Sequence, residues 1–537
     1  LLVYSEPTQS IAIVESGEDT SETLTRLSEI AGIPSEILKQ RIIEERKVRL
    51  PYEPRTVIRN IDKKLLSLVE SNLAELKNVV IEQGIKRHYP FSNAAFQLLG
   101  QIGRVSSRDL VNPVRSLSRN DYVGKSGVEL LYEDVLRGID GEELVEVNAM
   151  NARQRIFGYR PSKPGKTLAL TIDINLQLAA ERSLGSRTGA AIVLDARSGD
   201  ILAMASTPTI DSNELAKGVS ATRWNEISND ERSPLLNRAI ASAYPPGSTI
   251  KPFIALAGLQ EGVVDSKTDS YCHGFIELGD LKYRCNSRYG HGHLTLQDAM
   301  AVSCNVYFYK LGELLTIDNI ERYLGKFGFG TKTNIGLSGE VKGMLPSRNA
   351  KKVWSVGDTY SSSIGQGVSL VTPIQLANAT RTLALQGLTS ALKLSNVETS
   401  GIETQSIEGI TSDTYKIVDL AMQEVVQGKR GTGKRALIPG ISISGKTGTA
   451  QTARIKTQFA TGKEQDHAWF TAYAPSENPQ IVVTVLVENG GHGGATAAPI
   501  ARELMLEYFS GRSDFREIVQ GDSSVSSKVS LDEQITD

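Results

Sequence analysis

Tyr244-Pro245-Pro246-Gly247-Ser248-Thr249-Ile250-Lys251-Pro252 reads as a loop that stops where a helix begins. Pro245, Pro246 and Gly247 are turn residues. From Ser248 onward Ile250, Phe253, Ile254 and Ala257 recur at helical spacing, and Pro252 falls in the first turn, where a missing N–H costs little. Ser248 is therefore expected at a helix N-terminus, where free amides and the dipole favour developing negative charge. Lys251 lies one turn on, along the same side. A serine hydroxyl becomes a useful nucleophile when a base takes its proton, and a lysine amine of depressed pKa can do so. Alone, the pair reads more simply as a serine cap followed by a solvated lysine. The pattern needs partners.

Two follow downstream: Ser303-Cys304-Asn305 and Lys446-Thr447-Gly448-Thr449. Singly, Ser303 reads as a helix cap and Lys446-Thr447-Gly448 as a solvated strand-to-turn edge. Together and in this order they match a signature known from penicillin-binding proteins and class A β-lactamases, with one departure: Cys304 stands at the middle of the second motif, where that signature has Asp. Further stretches carry the likeness: Gly124-Lys-Ser-Gly-Val-Glu-Leu-Leu-Tyr-Glu-Asp-Val-Leu-Arg-Gly138, Trp354-Ser-Val-Gly-Asp358 and Gly365-Gln366-Gly367. The chain resembles the class B penicillin-binding proteins. Within that class it is most similar to the penicillin-binding protein 2 group, elongation-specific peptidoglycan D,D-transpeptidases. The likeness covers nearly everything after about residue 80 and is weaker before it.

The resemblance implies an α+β penicillin-binding transpeptidase fold, an antiparallel sheet flanked by helices, behind an N-terminal mixed α/β pedestal domain. Residues 1–165 are expected to form the pedestal, 166–511 the transpeptidase domain and 512–537 a disordered, Ser/Asp-rich tail. It also implies the roles. Ser248 attacks the penultimate D-Ala carbonyl of a peptidoglycan stem peptide and forms an acyl-enzyme that β-lactams mimic. Lys251 is the expected base, its pKa lowered by burial and by Lys446. Ser303 relays the proton, Asn305 holds Lys251 and substrate, and Lys446, Thr447, Gly448 and Thr449 form the carboxylate-binding strand. The backbone N–H groups of Ser248 and Thr449 would form the oxyanion hole. Trp354, Gly365, Gln366 and Gly367 resemble cleft positions, whether as support or as substrate contacts. No cofactor is needed for the acyl transfer. Likeness further implies a membrane glycosyltransferase and a periplasmic rod-shape scaffold as partners through the pedestal.

Local patterns give helices at 21–33, 35–47 and 63–76, the last capped by Asp62, then a strand from Val79 and a turn over His88–Asn93. Tyr122–Gly138 reads as one glycine-bounded helix, and Glu142–Val147 and Leu168–Asp173 as strands. Asn175–Leu184 reads as a helix, and Ser198-Gly199 as the turn of a hairpin. Ile441–Ser444 is expected to lead as a strand into the Lys446 motif, with His467–Tyr473 and Gln480–Val487 beside it and Ala497–Phe509 closing as a helix.

The chain has 537 residues and a formal charge of −2, which argues against nucleic acid because no basic excess is available to neutralise phosphates. No apolar run approaches the roughly 18 residues that span a bilayer. The sequence begins Leu1-Leu2 without an initiator Met, so an inner-membrane anchor is expected to be missing from it, with catalysis in the periplasm.

All three cysteines, Cys272, Cys285 and Cys304, share one window with His273, His291 and His293. Three thiolates and one imidazole make a complete structural zinc set. The alternatives are a Cys272–Cys285 disulfide with Cys304 free, or three inert thiols. The resemblance favours zinc, held by Cys272, Cys285, His291 and Cys304; His291 is chosen over His293 because Tyr289-Gly290-His291-Gly292 resembles a family turn. Cys304 sits between Ser303 and Asn305, so a metal there would tether the second motif. Two rival functions stay open: a β-lactamase or D,D-carboxypeptidase, and a β-lactam sensor or silent scaffold. The first lacks an evident class A Glu motif, and the intact motifs argue against silence but not against sensing.

Overall fold

The computed structural model describes residues 1–510 except 16–18, 48, 50–52, 108, 112–116, 118–120, 148–152, 399–403 and 452–465. The tail expected at 512–537 lies outside the described residues. The chain divides into two compact units, Leu1–Leu168 with Ile210–Ile227, and Ala169–Thr209 with Ser228–Asp537. The boundary read near 165 does not foresee the return of Ile210–Ile227. That return is held by an apolar cluster of Phe96, Ile210 and Ile227. Asn213 reinforces it, accepting from the Tyr89 N–H at 3.0 Å and donating to the Tyr89 carbonyl at 2.8 Å.

In the first unit an antiparallel sheet runs Arg55–Ile61, Tyr4–Ile13, Val79–His88. Helices Ser21–Ala31, Ser35–Glu45 and Lys63–Ser71 supply the apolar stripe that covers it. Ile11, Ile13, Leu24, Leu27, Leu38, Ile42, Val57 and Val69 form the core. Asp62 caps the third helix, accepting from the Leu65 N–H at 2.7 Å. The strand runs through His88, so the expected turn begins one residue later. Two differences concern glycine and pairing. Tyr122–Gly124 is a strand followed by two short helices, Gly127–Leu131 and Glu133–Leu136, rather than one helix. Gly127 has φ 60° and Gly124 lies where a Cβ would meet the Glu129 carbonyl at 2.1 Å, so both glycines serve close backbone packing. Glu142–Val147 pairs with Arg153–Arg160 in a hairpin whose second strand the sequence reading missed.

The second unit is built on a five-stranded antiparallel sheet in the order Ser444–Ala450, His467–Ala474, Ile481–Val487, Gly189–Asp195, Ile201–Thr207. Helix Gly493–Ser510 and helix Ile174–Leu184 cover one face, burying Ala191, Val193, Phe470, Ala472, Val483 and Val485 against Leu176, Ala180, Leu504 and Met505. Helix Pro373–Ala384 packs on the sheet as well, and its Thr380 hydroxyl lies 2.9 Å from that of Thr471. Covered strands carry nearly continuous apolar runs instead of alternation, as Ile481–Val487 does. Leu168–Asp173 is not a strand: its one bridge is Leu170 to Ser395, and the Thr171 hydroxyl instead donates to the Ile201 carbonyl at 2.8 Å. Strand structure begins at Ser444 and contains the Lys446 motif instead of leading into it. Among the described residues the motif strand is thereby the edge of the sheet, with one side facing the site.

Candidate active site

Ser248 occupies a 3₁₀ turn, Gly247–Ile250, that runs directly into helix Lys251–Gln260. The serine is thus one tight turn ahead of the expected α-helical start. Glycine explains how the turn fits. The Gly247 N–H donates to the Gly365 carbonyl at 2.9 Å, and a Cβ at Gly365 would lie 2.2 Å from the Gly247 carbonyl oxygen. On the other side, a Cβ at Gly247 would lie 2.9 Å from the Thr449 carbonyl oxygen. Three backbones are therefore stacked: the Gly365 loop, the Ser248 turn and the motif strand. In an antiparallel strand the N–H and C=O of one residue point the same way. The Thr449 carbonyl faces the Ser248 turn, and its N–H faces that way too. Behind the turn, Trp469 Nε1 donates to the Pro245 carbonyl at 3.0 Å. The Tyr244 hydroxyl donates to Glu488 at 2.6 Å, and Arg238 donates to the same carboxylate oxygen at 2.8 Å.

The second motif sits between two helices. Helix Leu296–Ala301 starts with a Thr295/Asp298 capping box and ends at a residue in the left-handed conformation, Ser303 with φ 57°. The Cys304 N–H donates to the Ala299 carbonyl at 2.9 Å and the Ser303 N–H to the Met300 carbonyl at 3.2 Å. This is a Schellman ending, in which glycine is the usual left-handed residue. Serine stands there, and its hydroxyl is what the site uses. Cys304 then opens helix Asn305–Lys326, which is kinked at Thr316.

Both motif lysines are fully buried and meet at that hydroxyl. Lys251 Nζ donates to the Ser303 carbonyl at 2.8 Å, to Asn305 Oδ1 at 2.8 Å and to Ser303 Oγ at 3.3 Å. Lys446 Nζ donates to Ser303 Oγ at 3.0 Å and to the Thr447 carbonyl at 3.1 Å. Among the described residues no side chain hydrogen-bonds the Ser248 hydroxyl, which is partly exposed. Burial lowers the Lys251 pKa to about 8, against an opposing electrostatic pull from Cys304 and Cys285. Lys446 falls well below the usual lysine range through burial and then through the Lys251 charge. The sequence reading placed the pressure of the second cation on Lys251; the structure places it on Lys446. Two ammonium groups on one buried hydroxyl are expensive, so burial and mutual repulsion together favour losing a proton from the pair. Ser248, Lys251, Ser303, Asn305 and Lys446 are brought together with Thr447, Gly448 and Thr449. A Cβ at Gly448 would lie 2.9 Å from the Pro246 carbonyl oxygen, so the strand passes directly over the loop.

The cysteine window also converges. One ligand atom from each of Cys272, Cys285, His291 and Cys304 lies within 4.8 Å of all the others. Cys285 Sγ is 3.7 Å from Cys304 Sγ and 3.5 Å from His291 Nδ1, and Cys272 Sγ is 3.7 Å from the same nitrogen. Those are the edge lengths of a tetrahedron with bonds of roughly 2.3 Å to sulfur and 2.0–2.1 Å to nitrogen, so the residues fit zinc. They do not fit a disulfide, whose sulfurs lie about 2.05 Å apart. All three thiols are free. His293 is outside the group, paired with Asp269 at 2.5 Å. The cluster is wired to the second motif on both sides: Asn286 Nδ2 donates to the Val302 carbonyl at 3.0 Å, and the Tyr309 hydroxyl to the Arg284 carbonyl at 3.2 Å. Asn286 and Tyr309 carry no motif signal and were not read from sequence. Trp354 Nε1 donates to Thr359 Oγ1 at 2.9 Å, which braces the start of helix Val356–Ser363.

Residues 189–506 match the penicillin binding protein transpeptidase domain, and 1–170 match the penicillin-binding protein dimerisation domain. The peptidoglycan D,D-transpeptidase MrdA of Haemophilus influenzae is 33% identical over 93% of this chain and 81% of its own length. Among solved structures, the complex between PBP2 and MreC from Helicobacter pylori aligns with TM-score 0.83 at 28% identity, covering 95% of both chains. A chain of a peptidoglycan synthase complex that coordinates polymerisation and cross-linking aligns with TM-score 0.75 at 28% identity, covering 95% of this chain and 89% of its own. With its three motifs meeting at one buried hydroxyl, the chain belongs to the penicillin-binding protein transpeptidases and is a serine-type peptidoglycan D,D-transpeptidase.

Proposed function

We propose that this enzyme cross-links peptidoglycan stem peptides through an acyl-enzyme on Ser248 during cell-wall elongation, and that β-lactams inhibit it by acylating the same hydroxyl. The observation that carries this is the meeting of Lys251 and Lys446 at Ser303 Oγ, beside the Ser248 turn. The terminal carboxylate of a D-Ala-D-Ala stem binds along the edge strand, at Lys446, Thr447 and Thr449, as a charge-assisted contact. A carboxylate there restores a proton to Lys446, and the repulsion between the two amines then falls on Lys251. Neutral Lys251 takes the Ser248 proton as the hydroxyl attacks the penultimate carbonyl. The N–H groups of Ser248 and Thr449 receive the oxyanion; one such donor is worth roughly 2.7–4 kcal/mol where measured. Ser303 passes a proton to the leaving D-Ala amine, and Asn305 keeps Lys251 in place. A neighbouring stem's amine then takes the acyl group, releasing Ser248.

Cys272, Cys285, His291 and Cys304 would hold a structural zinc that fixes the position of Ser303 and Asn305 and supplies no step of its own. The similar chains solved with MreC and in a peptidoglycan synthase complex support two kinds of partner, a rod-shape scaffold and a glycan polymerase. Peptidoglycan lies outside the cytoplasmic membrane, so the enzyme works in the periplasm from an inner-membrane anchor. The test is incubation with polymerised glycan strands that bear pentapeptide stems. Cross-linked muropeptides with equimolar D-Ala release support the transpeptidase; D-Ala release without cross-links would make it a carboxypeptidase.

A further inference from the structure

The turn after helix Ser412–Gln427 lies beside the third motif and belongs to none of the three. It carries Gly431-Thr432-Gly433. The Gly433 N–H donates to the Val425 carbonyl at 2.8 Å, and a Cβ at Gly431 would lie 2.3 Å from that same oxygen, so the turn is folded tightly back on the helix end. The Thr432 N–H donates to the Ala301 carbonyl at 3.2 Å, the last residue of the helix that delivers Ser303. A Cβ at Gly494 would lie 2.2 Å from the Thr432 carbonyl oxygen, so the closing helix walls the other side. Thr432 Oγ1 lies 2.8 Å from Thr447 Oγ1.

We propose that Thr432 is a positioning residue that aims the Thr447 hydroxyl at the substrate's terminal carboxylate. The proposal rests on the reading that Thr447 meets that carboxylate. A hydroxyl has one proton and can accept two bonds. When Thr432 donates to Thr447, the Thr447 proton is left free for the carboxylate, and a donor on its oxygen polarises it further. Without Thr432, the Thr447 proton has no fixed direction and the oxygen no donor. The turn itself is held by backbone groups, so removing the hydroxyl leaves it in place. Because Thr432 also bonds the end of the Ser303 helix, it ties the second and third motifs to one point.

The test uses the full chain with Thr432→Val, Thr432→Ala and Thr432→Ser. Acylation is followed with a penicillin and with its carboxylate methyl ester, and each time course is separated into a binding constant and a saturated acylation rate. Thr432→Val and Thr432→Ala are expected to weaken binding of the free acid about tenfold, the size of one hydrogen bond to a charged group. Ester binding stays unchanged, the saturated rate stays within about twofold, and Thr432→Ser restores acid binding. Equal losses for acid and ester, or a lost saturated rate, would overturn the proposal as a structural effect. The acid-to-ester ratio is internal to each variant, so partial destabilisation does not mimic it. Thr447→Val separates the two levels. If it too fails to distinguish acid from ester, the underlying reading fails. If it distinguishes them and Thr432→Val does not, the Thr432 proposal alone fails.

Discussion

Replacing Ser303 by glycine and by alanine separates what this residue does for folding from what it does for chemistry. Both changes remove the hydroxyl that receives Lys251 and Lys446, so their losses of hydrogen bonding are the same. They differ in backbone freedom, because Ser303 sits at φ 57°. A residue with a Cβ pays roughly 1–2 kcal/mol in the left-handed region. Glycine escapes that but loses about 0.5–1 kcal/mol through its freer unfolded chain. Ser303→Gly should therefore be more stable than Ser303→Ala by about 0.5–1 kcal/mol, against the usual order of these residues. The assay is equilibrium urea unfolding of both variants beside the parent, with penicillin acylation measured on the same samples. Both variants should lose acylation alike. An alanine variant as stable as the glycine variant, or more so, would refute the argument that the helix ending holds serine against its backbone preference.

Three further expectations follow from the site. Lys251 must be neutral to act as a base, and burial puts its pKa in the free enzyme at about 8, so the second-order acylation rate should rise tenfold per pH unit below that value and level off above it. A rate that is flat across this range would contradict Lys251 as the base. Purified protein should carry one zinc per chain, lost in Cys304→Ala, and chelation should slow acylation; zinc loss without any change in rate would disconnect the cluster from the second motif. Gly365→Ala places a Cβ 2.2 Å from the Gly247 carbonyl oxygen at a φ of +71°, so acylation should fall by about tenfold or more and stability by over about 1 kcal/mol. A fully active Gly365→Ala would show that the backbone stack under Ser248 is loose.

The motifs were legible because each chemical role demands particular side chains, and side chains are what a sequence displays. Ser248, Lys251, Ser303, Asn305 and Lys446 could be named in order, and so could the four cluster residues that the fold brings within 4.8 Å of one another. What stayed hidden depends on backbone geometry. The left-handed conformation of Ser303 is not encoded by a local glycine or asparagine. The edge position of Ser444–Ala450 depends on a strand order that joins the end of the chain to Gly189–Asp195. Thr432 looks like any turn residue until the fold sets it 2.8 Å from Thr447. The meeting of the two lysines at one hydroxyl, with three acceptors around Lys251 and two around Lys446, likewise depends on the fold. Local pattern also misread the glycine-bounded stretch from Tyr122, because Gly124 and Gly127 answer to close packing with neighbouring backbone rather than to helix capping.

The central claim is that Ser248 carries a long-lived acyl group, and intact-mass spectrometry with penicillin tests it most directly. One adduct should form, persist over an hour and be absent from Ser248→Ala. An adduct that forms equally on Ser248→Ala, or that disappears by rapid turnover, would contradict the account.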